Sequence, residues 1–300
     1  MERTPRGCKA RLMTTIETNR PGTPEELKTE SGVLRYYERG DGPPLLLLHG
    51  SGPGVTGWRN FSGNFDVFAA RHRTFILEFP GFGISDDFGG HPMMTAQQAV
   101  IEFLDGMDLE SVAVVGNSMG GIVGAALAIN QPQRVSKLVT IGGIGANLYS
   151  PGPGEGIKLL MEFTDNPSRE KLTQWLHSMV YDPAMVTEQL IEDRWTQAIE
   201  PATLASARRM YSSAAFGQMA KAAAASTEPP LWTKLNQIKA PVLVTWGRDD
   251  RVSPLDMSIV PMRMLPRGEL HVFPNCGHWV MIEQKAAFES AVLAFLGRED

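Results

Sequence analysis

A serine stands at the centre of Gly116-Asn-Ser-Met-Gly120, with a glycine two residues before it and another two after. That spacing has a steric cause. A serine raised on a sharp strand-to-helix turn needs glycine-sized neighbours so that the incoming strand and the outgoing helix can pass closely. The same turn leaves backbone N–H groups at the helix start available to a developing negative charge. The flanking text fits this geometry: Val112 to Val115 is an unbroken apolar run, and Gly120 to Ala128 is a run of small and apolar residues. Ser118 is therefore the candidate nucleophile rather than an ordinary helix-capping serine.

A serine hydroxyl needs a base, and the base needs an acid to orient it. Three histidines follow Ser118. His177 falls in a helical block, and His271 lies inside a strand pattern as a structural residue. His278 stands in Asn275-Cys-Gly-His-Trp279, a glycine-containing loop between a strand and the last helix, and is the expected base. For the acid, the run Val242 to Thr245 leads into Trp246-Gly-Arg-Asp-Asp-Arg251, which offers adjacent carboxylates. Asp250 is the expected partner of His278, with Asp249 as the alternative. The order serine, acid, histidine is that of a nucleophile-elbow hydrolase. The backbone N–H of Met119 supplies one oxyanion donor. The second is expected from the early loop Leu48-His-Gly-Ser-Gly-Pro-Gly54, at Ser51 or Gly52. His49 is read as bracing that loop rather than as a second base.

Groups so far apart in the chain must be carried to one place by regular elements. Short, continuously apolar runs recur at Leu45 to Leu48, Thr74 to Leu77, Val112 to Val115, Leu138 to Ile141, Val242 to Thr245 and Leu270 to Phe273. Such runs mark strands buried on both faces. Val33 to Glu38 opens the series. Helical patterns at Thr95 to Met107, Met119 to Asn130 and Gln284 to Leu296 lie between or after the strands. The alternation predicts an α/β fold with a mainly parallel central sheet flanked by helices. One block breaks the rhythm. From residue 148 to 231 the chain shows helical pattern (Ser168 to Val180, Thr187 to Ile199, Thr203 to Tyr211) and no buried strand, which predicts a helical cap over the sheet's carboxyl edge. The expected organisation is an arm over residues 1–27, a core made of 28–147 and 232–300, and the inserted cap. Gly142-Gly-Ile-Gly145 lacks the spacing of a dinucleotide-binding loop.

Composition narrows the class further. With 43% hydrophobic and 20% charged residues, the chain has the balance of a globular enzyme-sized protein. A net charge of −5 gives no electrostatic footprint for nucleic acid or an anionic membrane, so neither is expected as a partner. No apolar run approaches the length of a membrane span. Two cysteines, one of them in the polar arm, argue against a structural disulfide and point to a cytoplasmic home.

Taken together, the motifs resemble those of the meta-cleavage product hydrolases, serine enzymes of the α/β-hydrolase fold that cut a carbon–carbon bond in aromatic and steroid ring degradation. The resemblance runs from about residue 31 and rests on His49-Gly-Ser-Gly-Pro-Gly54, Gly57-Trp-Arg-Asn-Phe61, Gly116-Asn-Ser-Met-Gly-Gly121, Trp246-Gly-Arg-Asp-Asp-Arg251 and Cys276-Gly-His-Trp279. In the cap it rests on Tyr149-Ser-Pro-Gly-Pro-Gly-Glu-Gly-Ile157, Met179-Val-Tyr-Asp182 and Glu192-Asp-Arg-Trp195. It implies that Asn60, Asn117, Arg194 and Trp279 hold the dienoate end of a 2-hydroxy-6-oxohexa-2,4-dienoate. A bidentate arginine suits a carboxylate, although Arg194 at helical spacing could instead pair with Glu188 or Glu192. It further implies a reaction without metal or organic cofactor, a small-molecule dienoate as the partner, and a homo-oligomer, dimer or tetramer. Glu78, before Pro80-Gly-Phe-Gly83, departs from the aspartate more usual in the family and is read as structural. The rival readings are a carboxylesterase or thioesterase using the same three groups, and a non-catalytic small-molecule receptor on the same scaffold.

Overall fold

The structure is a computed structural model that describes residues 22–299, apart from 146, 148, 150 and 151. Eight strands form one sheet in the order β1-β2-β4-β3-β5-β6-β7-β8. They are β1 (Glu25–Lys28), β2 (Val33–Arg39), β3 (Pro44–Leu48), β4 (Arg73–Glu78), β5 (Val112–Asn117), β6 (Val135–Ile141), β7 (Val242–Gly247) and β8 (Gly268–Phe273). β2 runs antiparallel to both β1 and β4, and every other pair is parallel. All the apolar runs marked as strands in the sequence are strands. β5 and β7 are buried along their whole length, which explains why their side chains do not alternate in polarity.

The helices of the sheet layer are α1 (Gly57–Ala69), α2 (Pro92–Gly106), α3 (Met119–Asn130) and, after β7, α9 (Ile259–Met264), α10 (Val280–Glu283) and α11 (Lys285–Leu296). Between β6 and β7 lie α4 (Glu155–Asp165), α5 (Arg169–Met179), α6 (Glu188–Ala198), α7 (Pro201–Tyr211) and α8 (Ser213–Ala225), with no strand among the described residues of that block. No helix of the described residues is long and apolar enough to cross a membrane.

The structure corrects the expected end of the arm at residue 27. Glu25–Lys28 pairs with β2 as an edge strand, Glu25 opposite Tyr36 and Lys28 opposite Val33. Its side chains are almost all exposed, so no apolar pattern announces it. The expected arm residues 1–21 lie outside the described residues. Helix α1 also carries no simple pattern. Its buried face mixes Trp58, Phe61, Phe65 and Phe68 with Asn60 and Asn64. Its N-terminus is held by Glu78, whose carboxylate accepts from Gly57 N (2.7 Å) and Trp58 N (2.9 Å), while Thr56 accepts from Arg59 N. The Glu78 departure is thus a helix cap. Burial pushes its carboxyl up to about 7.

Candidate active site

Five loops leave the carboxyl ends of β3, β5, β6, β7 and β8 on one edge of the sheet, where open α/β folds place their ligands. Ser118, at the end of β5, has φ 51° and ψ −112°. For a non-glycine residue this strained backbone costs ~1–3 kcal/mol and persists only where its surroundings impose it. Here they do. A Cβ at Gly116 would lie 2.4 Å from the backbone of Gly120, and one at Gly120 would lie 2.1 Å from the Leu48 carbonyl oxygen. Only hydrogen fits at either side of the turn, so strand and helix close on each other. Ser118 N donates to Ile141 O at 2.8 Å, tying the turn to β6. Met119 is the first residue of α3, where the backbone N–H has no acceptor within the helix.

His278 and Asp250 form a buried pair. His278 Nδ1 and Asp250 Oδ2 are 2.7 Å apart, and both side chains are about 2% exposed. The other carboxylate oxygen of Asp250 accepts from Val252 N (2.8 Å) and Ser253 N (2.9 Å), which fixes its plane. Asp249, the alternative acid, instead pairs with exposed Arg248 and accepts from Cys276 N. Ser118 and His278 flank the same short turn. A Cβ at Gly142 would be 3.2 Å from His278 Cε1, and one at Gly143 would be 2.3 Å from the Ser118 carbonyl oxygen. The glycines that fail as a dinucleotide loop thus give the serine and the ring room beside each other.

The loop after β3 supplies the rest. His49 Nε2 accepts from Phe79 N at 2.9 Å, so its Nδ1–H donates to Gly50 O at 2.6 Å. Burial pushes this ring down to about 4, and its neutral form braces the loop. Ser51 Oγ is hydrogen-bonded to the hydroxyl of Tyr211 on α7. Gly52 lies under the ring of Trp175 on α5. Asn60 Oδ1 accepts from Gly50 N at 3.0 Å, but its Nδ2 is buried without a partner. Asn117 differs: its Nδ2 donates to Ile141 O at 3.2 Å.

Arg194, on α6, is 2% exposed and lies over the ring of Trp279, guanidinium carbon 5.1 Å from the ring centre. Its Nε and Nη1 have no partner. Glu188 and Glu192 are ion-paired with Arg169 instead, so the helix-surface alternative for Arg194 is removed. Burial first, then the nearby Arg59, pushes the guanidinium down to about 9, still charged at neutral pH.

Two further residues escaped the sequence reading. Glu283, on α10, accepts from Gly277 N (2.9 Å), next to His278, and from Tyr181 N (2.7 Å), just past α5. Met179 O, at the end of α5, accepts from His278 N at 2.8 Å. A lone acid after the apolar run Trp279 to Ile282 was the only available signal for Glu283. Trp175 gave none, because a tryptophan on a helix face is ordinarily core.

Residues 45–291 match the alpha/beta hydrolase family, and the chain belongs to it. Within that family it is similar to the 2-hydroxy-6-oxononadienedioate/2-hydroxy-6-oxononatrienedioate hydrolase of Paraburkholderia phymatum, 39% identical over 274 residues, 88% of this chain and 91% of the relative. It is also 36% identical to the 2-hydroxy-6-oxo-6-phenylhexa-2,4-dienoate hydrolase of Burkholderia cepacia over 268 residues, again 88% and 91% of the two chains. Among solved structures it resembles the meta-cleavage product hydrolase of Pseudomonas fluorescens IP01, with a TM-score of 0.80 at 28% identity, covering 91% of this chain and 97% of that one. The resemblance expected from the motifs therefore holds.

Proposed function

We propose that the protein hydrolyses the C5–C6 bond of a 2-hydroxy-6-oxohexa-2,4-dienoate, with Ser118 as nucleophile, His278 as base and Asp250 as the acid that orients it. The observation that carries this reading is the set of buried, unpartnered donors on Asn60 and Arg194 beside a strained serine and a His–Asp pair. A simple ester requires no such anion-holding group. A dienoate carboxylate does, and the relatives named above act on dienoates.

The chemistry follows from where negative charge must go. The substrate first loses the proton of its 2-hydroxyl and gains one at C5, giving a ketone at C2 conjugated to C3=C4. Ser118 Oγ then attacks C6 while His278 Nε2 takes its proton. The C6 oxyanion is met by the N–H of Met119 and a donor of the Ser51–Gly52 loop. When C5–C6 breaks, its electron pair runs through C3=C4 to the C2 oxygen, and protonation completes 2-hydroxypenta-2,4-dienoate. Water, activated by His278, releases the acyl group from Ser118 as a carboxylic acid. No metal or organic cofactor enters these steps. Asn117 and Trp279 line the dienoate end in this reading, with Asn60 and Arg194 as donors to its acid oxygens. A cytoplasmic location and a dimeric or tetrameric assembly belong to the same proposal, supported by the resemblance.

The test sets dienoates against esters. Wild-type protein is expected to bleach the yellow dienolate absorbance with a kcat/KM well above that for p-nitrophenyl acetate. Ser118→Ala is expected to lose ~10⁶-fold in kcat, by analogy with serine-triad knockouts. Ester hydrolysis without dienoate turnover would make the protein a carboxylesterase or thioesterase. Tight binding with no turnover of either would make it a receptor.

A further inference from the structure

The loop after β3 meets three residues with orphaned donors in turn: Asn60, Trp175 and Arg194. Asn60 is bonded to Gly50, and Gly54 abuts the backbone of Arg194, since a Cβ there would lie 3.0 Å from the Arg194 Cα. Between them, a Cβ at Gly52 would lie 2.7 Å from Trp175 Cζ2 and 3.7 Å from its Cε2, the carbon bonded to Nε1. The benzenoid edge of that indole, with Cη2 at 2.8 Å, therefore packs on the same loop, and Nε1 lies one bond beyond Cε2. On its other side Trp175 stands edge-on to Trp279, ring centres 6.4 Å apart at 81°, and Trp279 is the ring beneath the Arg194 guanidinium.

Trp175 is 1% exposed, and its Nε1–H has no acceptor. A buried donor left unpaired costs ~1–3 kcal/mol, so an ordinary core tryptophan either finds a partner or turns that edge to water. This one does neither, in the one place where Asn60 Nδ2, Arg194 Nε and Arg194 Nη1 are orphaned as well.

We propose that Trp175 is a specificity-determining residue whose indole N–H donates to the acid end of the dienoate beside Arg194. The inference rests on the proposed dienoate activity. An indole nitrogen can donate but never accept, so it favours carboxylate and carbonyl oxygens over groups that bring their own hydrogens. It also adds a donor without a second buried charge next to Arg194.

Trp175→Phe keeps an aromatic ring and removes the donor together with part of the ring volume. It is expected to raise KM for the dienoate about tenfold, the loss typical of one hydrogen bond to a charged group, with kcat nearly unchanged. Turnover of neutral p-nitrophenyl acetate should fall much less than that of the dienoate, because that ester has no acid end. Unchanged KM, or an equal loss on ester and dienoate, overturns the proposal. A second measurement uses full-length Ser118→Ala saturated with the dienoate. The indole N–H resonance absent from the Trp175→Phe spectrum should move downfield, and no displaced indole signal overturns the proposal even if Trp175→Phe does not fold. Absence of wild-type dienoate turnover would instead be a failure of the proposed function.

Discussion

The two sides of the site differ in how their polar groups are satisfied. On the sheet side the His–Asp pair and the bracing histidine have protein partners: His278 meets Asp250, Asp250 meets the backbone of Val252 and Ser253, and His49 meets Phe79 and Gly50. Around Arg194 and Trp175, donors are buried and left open. Buried polar groups are normally paired, so under the proposed function the contrast separates groups that act on one another from groups that meet the ligand. Asn117 and Asn60 mark the boundary. Both are asparagines near Ser118, yet the amide nitrogen of Asn117 is tied to Ile141 and that of Asn60 is open.

Substitutions on the two sides should therefore fail differently. Asp250→Asn keeps the shape but presents the wrong hydrogen-bonding partner to His278, and should lower kcat ~10⁴-fold on dienoates and esters alike. A loss confined to dienoates would show that the pair does not serve the serine. Arg194→Gln should lower kcat/KM ~10²–10³-fold for dienoates, the usual consequence of removing one partner of a buried charged contact. Ester turnover should survive, and parallel losses on both substrates would erase the contrast.

The smallest effect tests the scaffold through pH. His49 is held near 4, below the ordinary histidine value of 6.5, so the unfolded chain takes up a proton that the native ring refuses. Stability from this ring is therefore full above pH 6.5 and lost as pH falls toward 4, on the order of 3 kcal/mol. Glu78, raised to about 7, runs the other way, since the native carboxyl binds its proton before the unfolded one does. Between pH 4.5 and 6.5 the two contributions oppose each other. In Glu78→Gln the acid limb of His49 should stand alone, seen as a urea midpoint that falls more steeply below pH 6.5 than in wild type. Parallel pH profiles would show that the ring titrates normally.

The sheet and the three groups proposed to react stood out in the sequence because each rests on a local steric rule. Gly116 and Gly120 permit one turn, and the loops after β7 and β8 carry the acid and the histidine in the expected order. Asp250 was favoured over Asp249 in the sequence, and the structure sets Asp250, not Asp249, against His278. β1 was illegible because an edge strand with exposed faces has no apolar signature. Helix α4, with buried Leu160 and Phe163, and α8, with only Ala215 buried among its alanines, were likewise passed over. Trp175 and Glu283 were missed for another reason. What distinguishes them is a missing partner in one case and a pair of distant backbone partners in the other, and neither leaves a trace in spacing.

The bonds from His278 N to Met179 O and from Gly277 N and Tyr181 N to Glu283 also tie the end of α5 to the loop that carries His278. Lifting the end of α5 from the sheet would strip the loop around His278 of these supports. The contact of Tyr211 on α7 with Ser51 does not involve that loop. The cap is thus joined to the core separately at the histidine loop, through α5, and at the loop after β3, through α7.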